Sequence, residues 1–479
     1  MREKGSWKRV VGAALGVAIG VAFALLCPDV GLSQQGVRCL AILMGAIVWW
    51  IAGVLPEYAT GILMVVLFYV CAGVGVDVSM SAFASSTWWL LVAAFSLGAS
   101  MKACGLMRRM ALAILRVFPA TFRAQTAGLV AVGTVLGPLI PSLSAKTSMI
   151  SPIALAIGDA MGYERKGVKM QGMFLAMFTG IRTIGPAVIS SSIIGYGLLA
   201  LYPADVCSQF DMAHWFVAAL PWFLIVSVLN YVALQVFYGG GESEAAHGDL
   251  ADDSVSSAEG FSPANETHGP MSTHEKQMLV IILATVAAWV LEPLHGIASH
   301  IVAMTAMVAT VACGILDKQT FKTGINWEPL VFMGTVFGLS SVFAQAGIGE
   351  WVVGACGSVF EMLTSNSYLF VVGIGLSTVL LRFLIVSEMA YINIVMVFLV
   401  PLALSCGINP WVVGMAIFTM VNPWFALYQN PVYLAGFYAV DGEMGRHADI
   451  AKYCLPYTLF CLIGLIVSVP YWQWMGLLP

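Results

Sequence analysis

The sequence predicts an all-α polytopic membrane protein made of two inverted repeats, each with a re-entrant hairpin and a broken helix. Three observations carry this. Of the 479 residues, 60% are hydrophobic and 10% charged, where soluble domains average about 45–50% apolar and about 25% charged. The Lys and Arg residues sort into one set of loops, and a pattern in the first half recurs 242 positions later. The net charge is −4 and the pI near 6.0; without a polybasic tract, nucleic-acid binding is excluded. The ten cysteines stand singly in apolar runs, with no C-x-x-C pair or neighbouring histidines, and read as small core residues. No metal site and no cofactor are expected.

Apolar runs lie at about 8–27, 36–54, 58–76, 87–106, 125–160, 171–201, 212–237, 277–295, 298–316, 327–349, 366–408, 410–439 and 451–475. At roughly 20 residues per crossing, the runs at 125–160 and 366–408 are too long for one span. The first run follows MREKGSWKRV and lacks a small-x-small cleavage site, so residues 1–35 are expected to hold a retained first helix. Residues 238–276, rich in Gly, Ser and acidic groups, read as a disordered cytoplasmic linker. Its sequon at Asn265 is then silent. The linker divides a first repeat, 36–237, from a second, 277–479.

Cations accumulate in cytoplasmic loops. Seventeen of the 21 Lys and Arg residues agree with a cytoplasmic N-terminus, among them Arg2, Lys4, the block from Lys102 to Arg123, Arg165, Lys169, Lys276, Lys322 and Arg446. The opposite loops, after 77, 202, 347 and 405, carry Asp77, Asp205, Asp211, Glu350 and Glu361 instead. The 125–160 segment has cations on both flanks and must leave on the side it entered. By the same logic 366–408, between two cation-poor loops, turns back outward. Each hairpin is polar at its middle, LIPSLSAKTSM and FLIVSEMAYIN, and irregular backbone at membrane depth is tolerated only where it is buried in protein or lines a cavity.

Placing residues 91–110 over the later segment aligns Phe95 with Phe337, Leu97 with Leu339 and Gly105 with Gly347. The first copy of this helix runs inward and the second outward. Inverted repeats whose discontinuous segments meet near the midplane are a signature of secondary transporters.

Four cations fall outside the cytoplasmic set: Arg38 near an outer helix end, Lys146, Arg182 and Arg382. An ionisable group inside a membrane is a functional-site hypothesis by default. Lys146 sits at the first tip between Ser144 and Thr147, close to the helix breakers Pro138 and Pro141; helix N-termini beside it favour an anion. The alternative is a lysine snorkelling to the cytoplasmic surface. Arg182, next to Thr183 in a helix interrupted by Gly180, Gly185 and Pro186, either binds substrate or pairs with a buried side chain. Arg382 reads as structural. Glu388, at the second tip, would repel an anion unless paired, protonated or turned away; pairing with Lys146 and titration as a proton-coupling group are both open. Asn422-Pro423 and Asn430-Pro431 interrupt one span, as a cavity lining or as a simple kink.

The chain resembles the divalent anion:sodium symporter family, within the ion transporter superfamily of elevator-type carriers, over roughly residues 36 to 475. The resemblance rests on DMAHWFVAALPWFL, MSTHEKQMLVIILATVAAW, GINWEPLVFMGTVFGLSSVFAQAGIGEW and the two hairpins. In that family each tip carries a Ser-Asn-Thr motif that holds substrate carboxylates and helps form a sodium site. Here the tips read Ser142-Leu143-Ser144 and Ser387-Glu388-Met389, without the amides and threonines. The following residues, Ala145-Lys146 and Ala390-Tyr391, with PVYLAGFY at 431–438, are similar to the branch of citrate, 2-oxoglutarate and malate exchangers. The resemblance also implies a homodimer and an elevator mechanism.

The expected function is a secondary active transporter of small organic anions in the inner (plasma) membrane, a di- or tricarboxylate exchanger with little or no sodium dependence, and not an enzyme. Ser142, Ser144, Lys146, Thr147, Arg182, Thr183, Ser387, Asn393 and Asn430 are the expected substrate ligands, with Lys146, Glu388 and Tyr391 as charge-compensating or coupling groups. A proton- or sodium-coupled symporter of carboxylate, sulfate or sulfonate is the nearest alternative. A channel or membrane-embedded enzyme is the remote one.

Overall fold

The computed structural model describes residues 2–26, 31–240, 270–385 and 387–479. Most of the expected linker, with Asn265, lies outside the described residues. The first half comprises α1 (Arg2–Leu26), α2 (Gln34–Ala52), α3 (Glu57–Ala72), α4 (Ser86–Ala103), α5 (Leu106–Leu115), α6 (Phe122–Leu136), α7 (Leu143–Ala160), α8 (Val168–Ala187), α9 (Ile193–Leu201) and α10 (Met212–Tyr238), with short turns between. The second comprises α11 (Thr273–Val290), α12 (Ser299–Ala312), α13 (Trp327–Phe337), α14 (Leu339–Ala346), α15 (Ile348–Thr364), α16 (Ser367–Leu381), α17 (Glu388–Ser405), α18 (Pro410–Met420), α19 (Pro431–Tyr438) and α20 (Cys454–Trp474). Among the described residues there is no strand, and six helices are long and apolar enough to cross a membrane, or seven with a bent pair taken as one.

The same order of elements recurs on either side of the linker. In both halves a helix bends at a left-handed glycine, Gly105 (φ 81°) and Gly347 (φ 68°), where a side chain would be strained. The bend between α4 and α5 is 71°. A hairpin follows, α6–α7 or α16–α17, and then a broken helix, α8–α9 or α18–α19. The Trp88 indole donates to the Leu330 carbonyl at 3.0 Å. These positions are equivalent under the 242-residue offset, as expected where two copies meet at a pseudo-two-fold axis.

One expectation needs correction. The segment after Gly347 is not a loop but α15, continuous from Ile348 to Thr364. It is amphipathic: Ile348, Val352 and Phe360 are buried, while Glu350 and Glu361 lie off that face, and acidic groups at helical spacing read as a loop when only span-length hydropathy is considered.

Two groups of helices result. α1, α2, α3 and α13 pack in series, and α4 packs on α12 and α12 on α11. In the other group α8 packs between α6, α7 and α10, and α18 between α16 and α17. Every residue of α8 from Met170 to Ala187 and every residue of α18 is buried, so the two broken helices form the centre. The hairpins pack reciprocally: α7 from the first half lies on α19 from the second, and α17 from the second on α9 from the first.

Candidate functional site

The two hairpin turns and the two helix breaks meet in this centre. At the first turn, α6 ends before Pro138 and Pro141, and Ser142 caps α7, its Oγ accepting from the Ala145 N–H at 3.3 Å. At the second, Ser387 caps α17 in the same way, accepting from Ala390 N–H at 3.2 Å. Ser192 caps α9 and Asn430 caps α19. Each break therefore opens a fresh helix N-terminus with its first donors directed at a short polar side chain. Ser142 and Ser387, expected as ligands, occupy equivalent cap positions.

Lys146 does not snorkel. It is fully buried, and its Nζ donates to the Ser191 carbonyl at 2.9 Å, the Ser191 hydroxyl at 3.1 Å and the Gly137 carbonyl at 3.3 Å. One carbonyl comes from the first hairpin turn and the other from the break in the same repeat. Arg382 makes the equivalent arrangement in the second repeat. Also fully buried, it donates through Nε to the Val421 carbonyl at 3.0 Å and through its terminal nitrogens to the carbonyls of Ile385 and Gln429. This second turn has no proline, and Arg382 satisfies the carbonyls freed there. Each repeat thus holds one cationic head among backbone carbonyls of its own turn and break.

Glu388 is paired, and its partner is Arg182 rather than Lys146. The guanidinium and carboxylate approach at 3.3 and 3.5 Å, with exposures of 0% and 6%. This pair joins α8 of one repeat to α17 of the other. Lys146 lies within electrostatic range of Arg182, and Arg382 within range of both members of the Arg182–Glu388 pair.

The remaining expected ligands divide into two groups. Asn393 is 1% exposed, and neither atom of its amide has a partner. Arg182 Nε and Asn422 Oδ1 are likewise buried without one. Ser144 is half-buried. Thr147 donates to the Leu143 carbonyl and packs against Gly436 of α19, and Thr183 bonds the Tyr457 hydroxyl at 2.9 Å on α20, so both face neighbouring helices rather than the turns. Asn430 donates to the Asn422 carbonyl at 2.9 Å, holding the second break shut. Tyr391 donates to Thr378 at 3.0 Å.

Sequence reasoning missed Ser191 and Glu57. The first supplies two of the three oxygens around Lys146. Its only signal is the run Ser190-Ser191-Ser192 following Pro186. Glu57, in the first turn of α3, meets the Ser387 side chain from the other helix group; nothing in the sequence brings those two together.

The family described as the sodium:sulfate symporter transmembrane region matches residues 7–478. The chain belongs to this family. Its relatives include a membrane protein of Cupriavidus necator, 23% identical over 96% of this chain and 91% of the other. The sodium-dependent dicarboxylate transporter SdcS of Staphylococcus saprophyticus is 22% identical, with coverages of 84% and 80%. The citrate/succinate antiporter of Escherichia coli is 19% identical, with coverages of 74% and 76%. Among solved structures, the YdaH transporter of Alcanivorax borkumensis is similar with a TM-score of 0.57 at 16% identity, covering 84% of this chain and 89% of that one. Family membership and the apolar helices make the chain a multi-pass membrane protein of a transporter family.

Proposed function

We propose that the chain is a secondary active transporter that exchanges small organic anions, di- or tricarboxylates, with little or no dependence on sodium. The observation that carries this reading is the burial of the Lys146 ammonium among carbonyls of the first turn and first break. In discontinuous-helix transporters, unwound carbonyls coordinate the coupling cation and helix N-termini receive the anion. Here the carbonyls are already engaged by the chain's own cation, and Arg382 engages those of the second repeat. A tethered cation supplies the positive field that a bound sodium otherwise brings, and it cannot dissociate. Lys146, Arg182, Asn393 and the capped N-termini of α7 and α17 are the anion-binding groups in this reading, with Ser142, Ser144 and Ser387 beside them.

Exchange follows from the same charges. The Lys146 head donates only to neutral oxygens, so crossing the bilayer without an anion would move poorly compensated charge through a low-dielectric region. Elevator-type movement of one helix group against the other, a homodimer, and placement in the inner (plasma) membrane with a cytoplasmic N-terminus complete the proposal. The test is counterflow in proteoliposomes loaded with unlabelled malate, succinate or citrate, with labelled anion outside, in sodium and in choline. Uptake accelerated by internal anion in both media supports exchange. Uptake that requires sodium and is indifferent to internal anion refutes it.

A proton-coupled reading is favoured by one specific observation, the buried carboxylate of Glu388 beside the site. It requires that substrate separate Glu388 from Arg182 and that Glu388 then take up a proton. In Glu388→Gln, uptake would then lose its dependence on a pH gradient.

A further inference from the structure

A second feature lies apart from the turns and shares no residue with them. α1 and α3 both pack on α2, and the space left between them is a cavity of about 330 Å³ lined by all three helices. Small residues open it. A Cβ at Gly16 of α1 would lie 3.0 Å from the Gly45 carbonyl oxygen of α2, and one at Gly20 2.8 Å from that of Ala41, so this seam is backbone against backbone and has no side chain to fill the space beside it. α1 has little other support: of its span Arg9–Leu26, 11% is buried.

The cavity runs along α2 from Arg38 to Trp49 and along α3 from Cys71 to Thr60. Eleven helical steps rise about 16 Å, about half of the roughly 30 Å hydrocarbon core of a bilayer, which is the depth of one leaflet. The walls are apolar, with Val21, Leu63 and Leu67 among them. At the inner end the Thr60 hydroxyl is buried without a partner, and a lone hydroxyl does not hold a water, which needs about two to four polar partners. A hydrocarbon chain suits the length and the lining.

Arg38 stands exposed at the other end, near the start of α2 and level with the end of α3, where headgroups lie. One terminal nitrogen donates to the Cys71 carbonyl at 3.2 Å. Gln35 meets the next two carbonyls of α3's end, those of Ala72 and Gly73, at 3.2 Å each. The rest of the guanidinium is therefore not needed to cap α3, and among the described residues no carboxylate pairs with it. Its open donors match a phosphate, which a guanidinium binds through parallel N–H bonds.

We propose that this groove binds an anionic phospholipid of the surrounding bilayer, with one acyl chain between α1 and α3 and the phosphate on Arg38. A zwitterionic phospholipid presents the same phosphate, but its own cation competes with Arg38, so the site selects net negative charge. The bound chain gives α1 a contact surface besides its glycine seam. This assignment is independent of the transport reading.

The experiment uses the full chain in phosphatidylcholine liposomes doped with phosphatidylglycerol that carries a photoreactive diazirine on one acyl chain, with labelled peptides mapped by mass spectrometry. Label should concentrate on the α1–α3 groove over the lipid-facing sides of α10 and α20. Excess unlabelled phosphatidylglycerol should displace it, and equal phosphatidylcholine should not. Arg38→Gln should lower groove labelling about fivefold, the effect of one basic residue on an anionic lipid near the surface, while Arg38→Lys keeps most of it. Leu67→Trp, which fills the groove, should abolish it. Even labelling of all lipid-facing helices, displacement by phosphatidylcholine as readily as by phosphatidylglycerol, or labelling unmoved in Arg38→Gln overturns the assignment. So does a groove that takes no label because a second copy of the chain covers it. Should the variants fail to fold, the labelling map and the two competitions on wild type decide the matter.

Discussion

Arg182 and Glu388 are 206 positions apart in sequence, yet their side chains meet at 3.3 Å in a place closed to solvent. They join the broken helix of one repeat to the hairpin of the other. Breaking such a pair by removing one partner leaves an uncompensated buried charge, whereas replacing both with apolar residues of similar size is often neutral. Arg182→Met should therefore destabilise the protein by about 3–5 kcal/mol, and the double variant with Glu388→Met should recover most of that loss while remaining inactive in transport. Thermal unfolding of the purified variants in detergent checks the first statement and counterflow the second.

Lys146 occupies the carbonyls of Gly137 and Ser191. Lys146→Ala empties that position and leaves its acceptors to water or to a small cation. Anion uptake by this variant should be lost in choline and partly regained as sodium is raised. Uptake that stays at wild-type level in choline would show that the ammonium does not serve the anion.

Asn393 gives a prediction of opposite sign for stability and binding. Its amide is buried with neither atom partnered, a state that costs about 1–3 kcal/mol for each buried group left unsatisfied. Asn393→Leu, which keeps the branched shape with no polar atom, should leave thermal stability unchanged or raised. The further rise in melting temperature on adding substrate should disappear. A variant that is destabilised and still stabilised by substrate contradicts both halves.

The first hairpin is seated by glycines. A Cβ at Gly133 of α6 would lie 2.7 Å from the Ile181 backbone nitrogen and 2.8 Å from the Gly180 carbonyl carbon of α8. Backbone cannot yield as a flexible side chain can, so Gly133→Ala should cost about 1–3 kcal/mol, the range for overpacking. It should also weaken transport, since Ile181 adjoins Arg182. Melting temperature and uptake are the readouts; an Ala variant with wild-type values for both would mean the two helices are not held this closely.

Much of this was legible in the sequence for identifiable reasons. Lys146, Arg182 and Arg382 stood out because cations are rare at membrane depth, and the three are fully buried. Pro138, Pro141, Pro423 and Pro431 cannot continue a helix's hydrogen bonds, so the first turn and the second break fell where those residues are. What could not be read is pairing. For Glu388 the sequence offered pairing with Lys146 or titration, and for Arg182 an unnamed buried partner; that these two meet each other depends on how α17 crosses α8. The contact of Lys146 with Ser191 runs partly through a backbone carbonyl, which every residue carries. Thr147 and Thr183 lie beside the key cations in sequence, but helical geometry turns adjacent side chains about 100° apart, and both face neighbouring helices. The amphipathic α15 was hidden because its acidic residues resemble a loop to any reading based on span hydropathy alone.

The most direct measurement is calorimetric titration of malate or citrate into the purified protein in sodium chloride and in choline chloride at equal ionic strength, with Lys146→Met alongside. If the chain's own cations hold the anion, the affinity is the same in both salts for wild type and is lost in the variant. Binding that appears only with sodium, or that survives intact in Lys146→Met, would contradict it.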